Sequence, residues 1–468
     1  MGTGTCRRER GVRSWGLASV LTACVLAVAG CASVYNLPSN QPLSAAQPVN
    51  TIGAMDPVFT GDVLLALSFS GGGTRAAAFS FGVLNELERS RTGSGSLIDR
   101  VDFVSGVSGG SITAAYFGLK RRAALDDFRE RFLLRNAEEG LNTKISLGNL
   151  GRALGGGVNS GEFPRWLDQN LFAGATFGSF REDRSPQILI NASDIYNRVP
   201  FVFGKPTFDA LCSDISSYKL SDAVAASAAV PVAFAPIVLE TFPGGCGARL
   251  PAWVEKARNN PDVQPLLRSY AEALGRYHDG SMKYVKLLDG GLVDNYGLSG
   301  LSIGMLAAQR PFEPMTERQA ARVRRIMFLV VDAGRGPSGD WANRLEGPSG
   351  PELVAAAADT AIDASVRSSY AAFNALINDW TVKVRRWRCG LSAADRTRLG
   401  LPAGWKCGDV SAFVDRIGFD RLGASRAGIL EAVPTRLTLP AEQVDLLIEG
   451  GADALRSSSA FQSFRRGL

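Results

Sequence analysis

Only one histidine, His278, occurs in a chain of 468 residues. That scarcity excludes a good deal of chemistry at once. A zinc site of the H-E-x-x-H type needs two imidazoles, and none of the seven cysteines stands at a paired C-x-x-C spacing, so neither a metal nor a cofactor is expected. A hydrolytic triad in the chain order Ser, Asp, His wants its histidine late in the sequence. His278 lies instead in the polar stretch RYHDGSMKY, where a loop or surface imidazole is the plain reading. Excess charge of one sign is small as well: 51 Lys and Arg stand against 45 Asp and Glu, and Arg7, Arg8, Arg10 and Arg13 near the start carry much of the net +6. Apart from the short run at Arg385 to Arg388, read as a solvated patch, there is no basic stripe and no nucleic-acid partner is expected.

Long apolar runs are missing too, except for GLASVLTACVLAVAG from Gly16 to Gly30. That segment is too short and too rich in small residues for an ordinary membrane span, and its arginine-rich start makes residues 1–30 an expected export signal. It ends in Val28-Ala29-Gly30-Cys31, which resembles the bacterial lipobox. The resemblance implies a lipidated Cys31 at the head of the mature chain; an ordinary cleavable signal is the alternative. Ala32 rather than aspartate follows, which by the enterobacterial sorting rule implies the outer membrane of the cell envelope. Residues 31–60, rich in Pro, Ser, Asn and Gln, are expected to form a flexible tether without a core. With Cys6 and Cys24 lost in the leader, Cys212, Cys246, Cys389 and Cys407 remain in a compartment that permits disulfides. Three pairings are possible, of which Cys212 with Cys246 and Cys389 with Cys407 closes the shortest loops.

What is present is an ordinary globular composition, 46% apolar and 21% charged. Asp62 to Phe69 is an almost unbroken apolar run of the kind a buried parallel strand needs, Gly71, Gly72 and Gly73 follow, and then Phe79, Val83 and Leu87 recur at helical spacing. A second strand-turn-helix unit follows at Val101 to Leu119. Further apolar runs at Gln187 to Ser193, Tyr284 to Gly291 and Arg325 to Gly334 lie far enough apart for crossover helices. This rhythm predicts an α/β domain on a mainly parallel sheet over residues 61–336, with helices flanking it. Residues 337–468 read as a helix-rich region packed on that domain.

Three consecutive glycines cost backbone entropy, so bare backbone at that junction is expected to serve a tight turn or an anion site. The second unit carries Gly106-Val107-Ser108-Gly109-Gly110, a G-x-S-x-G between a strand and a helix. Glycines at Gly106 and Gly110 let the turn project the Ser108 hydroxyl at a helix N-terminus, where unpaired N–H groups and the dipole favour an anionic intermediate. The serine needs a base other than histidine. Asp289, closing YVKLL and opening a Gly290-Gly291 turn, is the best placed, and Asp332 in VVDAG is the reserve. A carboxylate with an ordinary pKa of about 3.9 is a poor base for an alcohol and can serve only if held close. Asp294 and Asn295 are expected to shape the following turn, Phe79, Phe81 and Phe117 to fill the core, and the glycines at Gly155 to Gly157 to form a loop.

SGGGTRAAAFSFGVL, GVSGG and LLDGGLVDNYGLSG, in that order, together resemble the patatin-like phospholipase family; SDAVAASAAVPVAFAPI, from Ser221 to Ile237, is similar to a further block of it. The resemblance covers about Val63 to Gly297. It implies a three-layer patatin-like fold, a Ser108-Asp289 dyad, an oxyanion hole from Gly71 to Gly73, and an Arg75 that braces that loop or binds a lipid phosphate. Plant-type members usually carry glycine where Ala76 stands, whereas the cytosolic phospholipase A2 group resembles this chain there. The implied function is a phospholipase A or lipid esterase acting on membrane lipids. A lipid acyltransferase and a catalytically silent envelope lipoprotein that binds lipid or protein are the alternatives.

Overall fold

The computed structural model describes residues 36–44, 61–139, 161–180 and 186–468, apart from positions 94, 232–233, 248–249 and 338. The leader, Cys31, most of the expected tether and the Gly155 to Gly157 loop lie outside the described residues.

Eight strands form one sheet: β1 (Val63–Phe69), β2 (Val101–Val107), β3 (Gln187–Asp194), β4 (Val199–Phe203), β5 (Ile237–Glu240), β6 (Tyr284–Asp289), β7 (Arg325–Asp332) and β8 (Ser411–Gly418). The spatial order is β8-β7-β1-β2-β3-β6-β5, with β4 also paired to β3. The five strands from β8 to β3 are parallel, and β4, β5 and β6 pair antiparallel. Alternation along the strands splits the interior into two cores. Val63, Leu65, Leu67 and Phe69 face one, while Leu64 and Ala66 face the other. β7 divides the same way, Met327, Leu329 and Val331 against Ile326, Phe328 and Val330, so the sheet is the middle of three layers.

Helices α1 (Gly73–Arg89) and α2 (Gly109–Lys120) follow β1 and β2 directly and bury Phe79, Phe81 and Phe117 in the first core. α3 (Leu220–Ser227) joins them there, and α4 (Pro265–His278) packs at the side of the sheet that ends in β4. The 40-residue α5 (Gly350–Cys389) covers the second core with Phe373, Ile377, Trp380 and Val384. α6 (Ala441–Ser457) lies against α1 through bare backbone, since a Cβ on Gly82 would stand 2.0 Å from the Ile448 carbonyl and one on Gly451 2.1 Å from that of Phe79. Both disulfides are sequence-local, Cys212–Cys246 and Cys389–Cys407.

Two features depart from the expected organisation. The C-terminal region is helix-rich but also supplies β8, an edge strand whose Asp415 and Arg416 interrupt the apolar signal; Asp415 pairs with Arg421 and Ser458, and Arg416 with Asp332 and Asp420. The segment from Asn36 to Leu43 is docked rather than free. Ser39 N–H donates to the Val238 carbonyl (3.2 Å), and buried Asn40 donates to Ser213 Oγ and the Glu240 carbonyl (both 2.9 Å) while accepting from Glu240 N–H (2.8 Å). β5 ends the sheet, and the docked segment satisfies edge groups that would otherwise stand unpaired.

Candidate active site

The position of the site follows from how β3 is shared. Ile190 and Asn191 pair with β2 on one edge and β4 on the other, and Ala192 to Asp194 pair with β6 and β4. A strand has only two edges, so β2 and β6 occupy the same edge end to end and run toward each other. β2 stops at Val107, opposite Asn191, and β6 stops at Asp289, opposite Ala192. Ser108 and Asp289, 181 positions apart in sequence, therefore meet where the two strand tips abut. Asp289 does sit at a strand's C-terminal end as expected, but it gets there because β6 is antiparallel, which the sequence rhythm did not indicate.

Ser108 is buried at φ 50° and ψ −123°, a conformation that side chains rarely adopt. Its neighbours hold it there. Ser108 N–H donates to Ser227 Oγ (2.8 Å), Ser227 Oγ donates to the Asn191 carbonyl (2.6 Å), and the Ser108 carbonyl accepts from Ser111 Oγ (2.6 Å) and N–H (3.0 Å). At Gly106 and Gly110 there is no room for a side chain, since a Cβ on either would stand 2.5 or 2.6 Å from neighbouring backbone. Gly109 is the tightest of the three: its Cβ would lie 1.9 Å from the Gly73 carbonyl. The serine turn and the triple-glycine turn thus touch backbone to backbone.

Asp289 is held on its main chain by donation of its N–H to the Ala229 carbonyl (2.8 Å) and of Ser193 Oγ to its own carbonyl (2.8 Å). Gly290 N–H donates to the Ser227 carbonyl (3.0 Å). The Ser227-to-Ala229 segment consequently clamps both strand tips, which gives the block from Ser221 to Ile237 a physical task. Burial pushes the Asp289 carboxyl up to about 6, partly offset by the Gly291 N–H, 2.8 Å from Oδ1, and by the Ser108 hydroxyl.

The triple-glycine turn departs from expectation at one position. Gly71 N–H is occupied by Asn295, at 3.2 Å from both its carbonyl and its Oδ1. The amides of Gly72 (φ 139°), Gly73 (φ 61°) and Gly109 make no hydrogen bond among the described residues. Gly109 was not singled out by the sequence pattern, although it directly follows the serine.

Arg75 is buried, with Nε donating to the Ala333 carbonyl (2.9 Å) and Nη1 to the Val433 carbonyl (2.7 Å), contacts that tie the start of α1 to the segments after β7 and before α6. Burial lowers its pKa to about 10, at which it remains charged. Asp332, the reserve base, is engaged by Arg416 (2.9 Å), Tyr296 OH (2.7 Å) and Gly334 N–H (2.9 Å). Asp294 accepts from Ser299 N–H (2.6 Å) and, with Asn295, shapes the turn after Asp289. His278 closes α4, a few residues before Tyr284 starts β6, the end of that strand opposite Asp289.

The fold is a mainly parallel α/β sheet in which a serine on a strained strand-to-helix turn meets a buried carboxylate where two strand tips abut. A model of the patatin-like phospholipase family matches residues 67–301, half of the chain, and the chain belongs to that family. No curated protein matches the sequence. Among solved structures, the human GIVD cytosolic phospholipase A2 is similar at 12% identity and a TM-score of 0.43, over 86% of this chain and 60% of that one. VipD from Legionella pneumophila is similar at 12% identity and a TM-score of 0.32, over 94% of this chain and 73% of its own.

Proposed function

We propose that the chain is a lipid acyl hydrolase, anchored to the bacterial cell envelope through Cys31, that cleaves acyl esters of membrane lipids with Ser108 as nucleophile and Asp289 as its base. The observation that carries this reading is the buried Asp289 carboxylate, raised to about 6, beside the Ser108 hydroxyl. A carboxylate with raised proton affinity is a better acceptor for an alcohol proton than a solvated one.

As Ser108 Oγ attacks the ester carbonyl its proton passes to Asp289, and the tetrahedral oxyanion takes hydrogen bonds from the amides of Gly72, Gly73 and Gly109. One such donor contributes about 3 kcal/mol in other acyl-transfer sites. Collapse breaks the ester C–O bond, and the departing alcohol takes the proton from Asp289. Water then attacks the acyl-serine, giving a proton to Asp289; the fatty acid leaves, and that proton returns to Ser108.

The test is labelling of the mature chain by a fluorophosphonate bearing an acyl-like tail. Labelling should require Ser108, vanish in Ser108→Ala and fall sharply in Asp289→Asn. A folded wild type that takes no label in the presence of lipid micelles would refute the assignment. Release of fatty acid, as against its transfer to an added alcohol, then separates hydrolase from acyltransferase.

A further inference from the structure

We infer that the docked segment Asn36–Leu43 fixes the site close to the membrane that holds the chain, so that the enzyme draws its substrate from its own anchoring bilayer and not from an apposed one. This rests on the anchored-hydrolase reading above.

The segment runs alongside β5 in the same direction. Asn36 Nδ2 donates to the Pro236 carbonyl, Ser39 N–H to that of Val238, and Asn40 brackets Glu240. β5 is antiparallel to β6, with Ile237 opposite Leu287 and Glu240 opposite Tyr284. The Asn36 end is therefore the end level with Asp289, and the Asn40 end is the remote one. Asn36 stands two strand spacings from β6, about 10 Å.

Four residues separate Cys31 from Asn36. Fully extended, that stretch spans about 18 Å. The lipid-bearing cysteine is thus held within about 30 Å of Asp289, whereas a tether free up to Asp62 would allow an excursion of about 100 Å. Docking also costs the segment its freedom, and the side chains that hold it are specific: both asparagines reach main-chain groups of the edge strand. Two exposed apolar side chains lie at this same level. Leu37 is 86% exposed beside Asn36, and Val230 is 42% exposed beside Ala229, whose carbonyl holds Asp289.

The experiment uses the full lipidated chain in phospholipid vesicles, with the double variant Asn36→Ala/Asn40→Ala to release the segment. A dye on Val230→Cys reports energy transfer to acceptor lipid in the membrane, and a fluorogenic phospholipid is placed either in the same vesicles or in separate ones. The intact segment should give strong transfer and at least tenfold faster turnover of lipid in the same vesicle. Release should at least halve the transfer and narrow that ratio, with turnover of a soluble short-chain ester unchanged. Undiminished transfer on release would overturn the proposal whether or not any ester is cleaved. So would a wild type that stays in the aqueous fraction like Cys31→Ser. Absence of soluble-ester turnover in a chain that still shows segment-dependent transfer would count against the hydrolase reading alone and would uphold the docking.

Discussion

Asp289→Asn should cut the activity sharply and stabilise the fold, and the size of the stabilisation can be worked out from one number. Burial raises the carboxyl from 3.8 to about 6. Below pH 3.8 the carboxyl is neutral in folded and unfolded chains alike, and its burial is tolerated. Between that value and about 6 the unfolded chain ionises while the folded one stays protonated, so wild-type stability falls as pH rises. Above about 6 the loss is complete and amounts to about 3 kcal/mol. Asparagine carries no charge at any of these pH values and can still accept from Gly291 N–H, which lies 2.8 Å from Oδ1. Urea denaturation at pH 4 and pH 8 should therefore show the variant's advantage growing by about 2.4 kcal/mol between the two, since at pH 4 the unfolded carboxyl is already more than half ionised. An advantage that is absent, or equal at both values, would refute the buried-carboxylate reasoning. Fluorophosphonate labelling of the same samples gives the other half: wild-type reactivity should rise through pH 6 and level off, and the variant should react about 10²–10⁴-fold more slowly.

Gly109→Ala would bring a Cβ to 1.9 Å from the Gly73 carbonyl; labelling should be lost and the melting temperature lowered, because both contacting atoms belong to main chain. Ser227→Ala should cost about 1–3 kcal/mol by leaving the buried Ser108 N–H without its acceptor, measured by denaturation, and should slow labelling as the serine turn relaxes. His278→Ala should leave labelling and turnover unchanged, since the residue closes α4 a few positions before Tyr284 starts β6, at the end of that strand opposite Asp289. Replacing Cys389 and Cys407 by serine opens a loop of 18 residues and should lower stability by about 3 kcal/mol with kcat retained, as measured by melting and by ester turnover.

Much of the architecture was legible because local signals agreed with the global fold. The runs at β1, β2, β3, β6 and β7 are apolar enough to declare themselves, and the glycine turns after β1 and β2 are continuous in sequence with the helices they start. β4 and β5 were not visible: one is five residues long and carries Pro200, tolerated on an edge, and the other has only four residues. β8 was hidden by the charges of Asp415 and Arg416, whose partners come from elsewhere in the fold. Docking of Asn36 to Leu43 was invisible for a similar reason, since a polar, proline-containing segment has the composition of a tether until an open strand edge is there to receive it.

The sequence alone determined the strand-turn-helix units and the identities of Ser108 and Asp289 as the residues to watch, because those depend on backbone preferences within a few positions. Tertiary structure decided that the two meet, since this requires β6 to run against β2 along one edge of β3, a choice no local pattern records. It decided too that Gly71 is occupied by Asn295 and Arg75 by carbonyl groups, while the amides of Gly72, Gly73 and Gly109 make no hydrogen bond among the described residues. It also set the proton affinity of Asp289, because a pKa is a property of the surroundings, and those surroundings are assembled from segments more than a hundred residues apart.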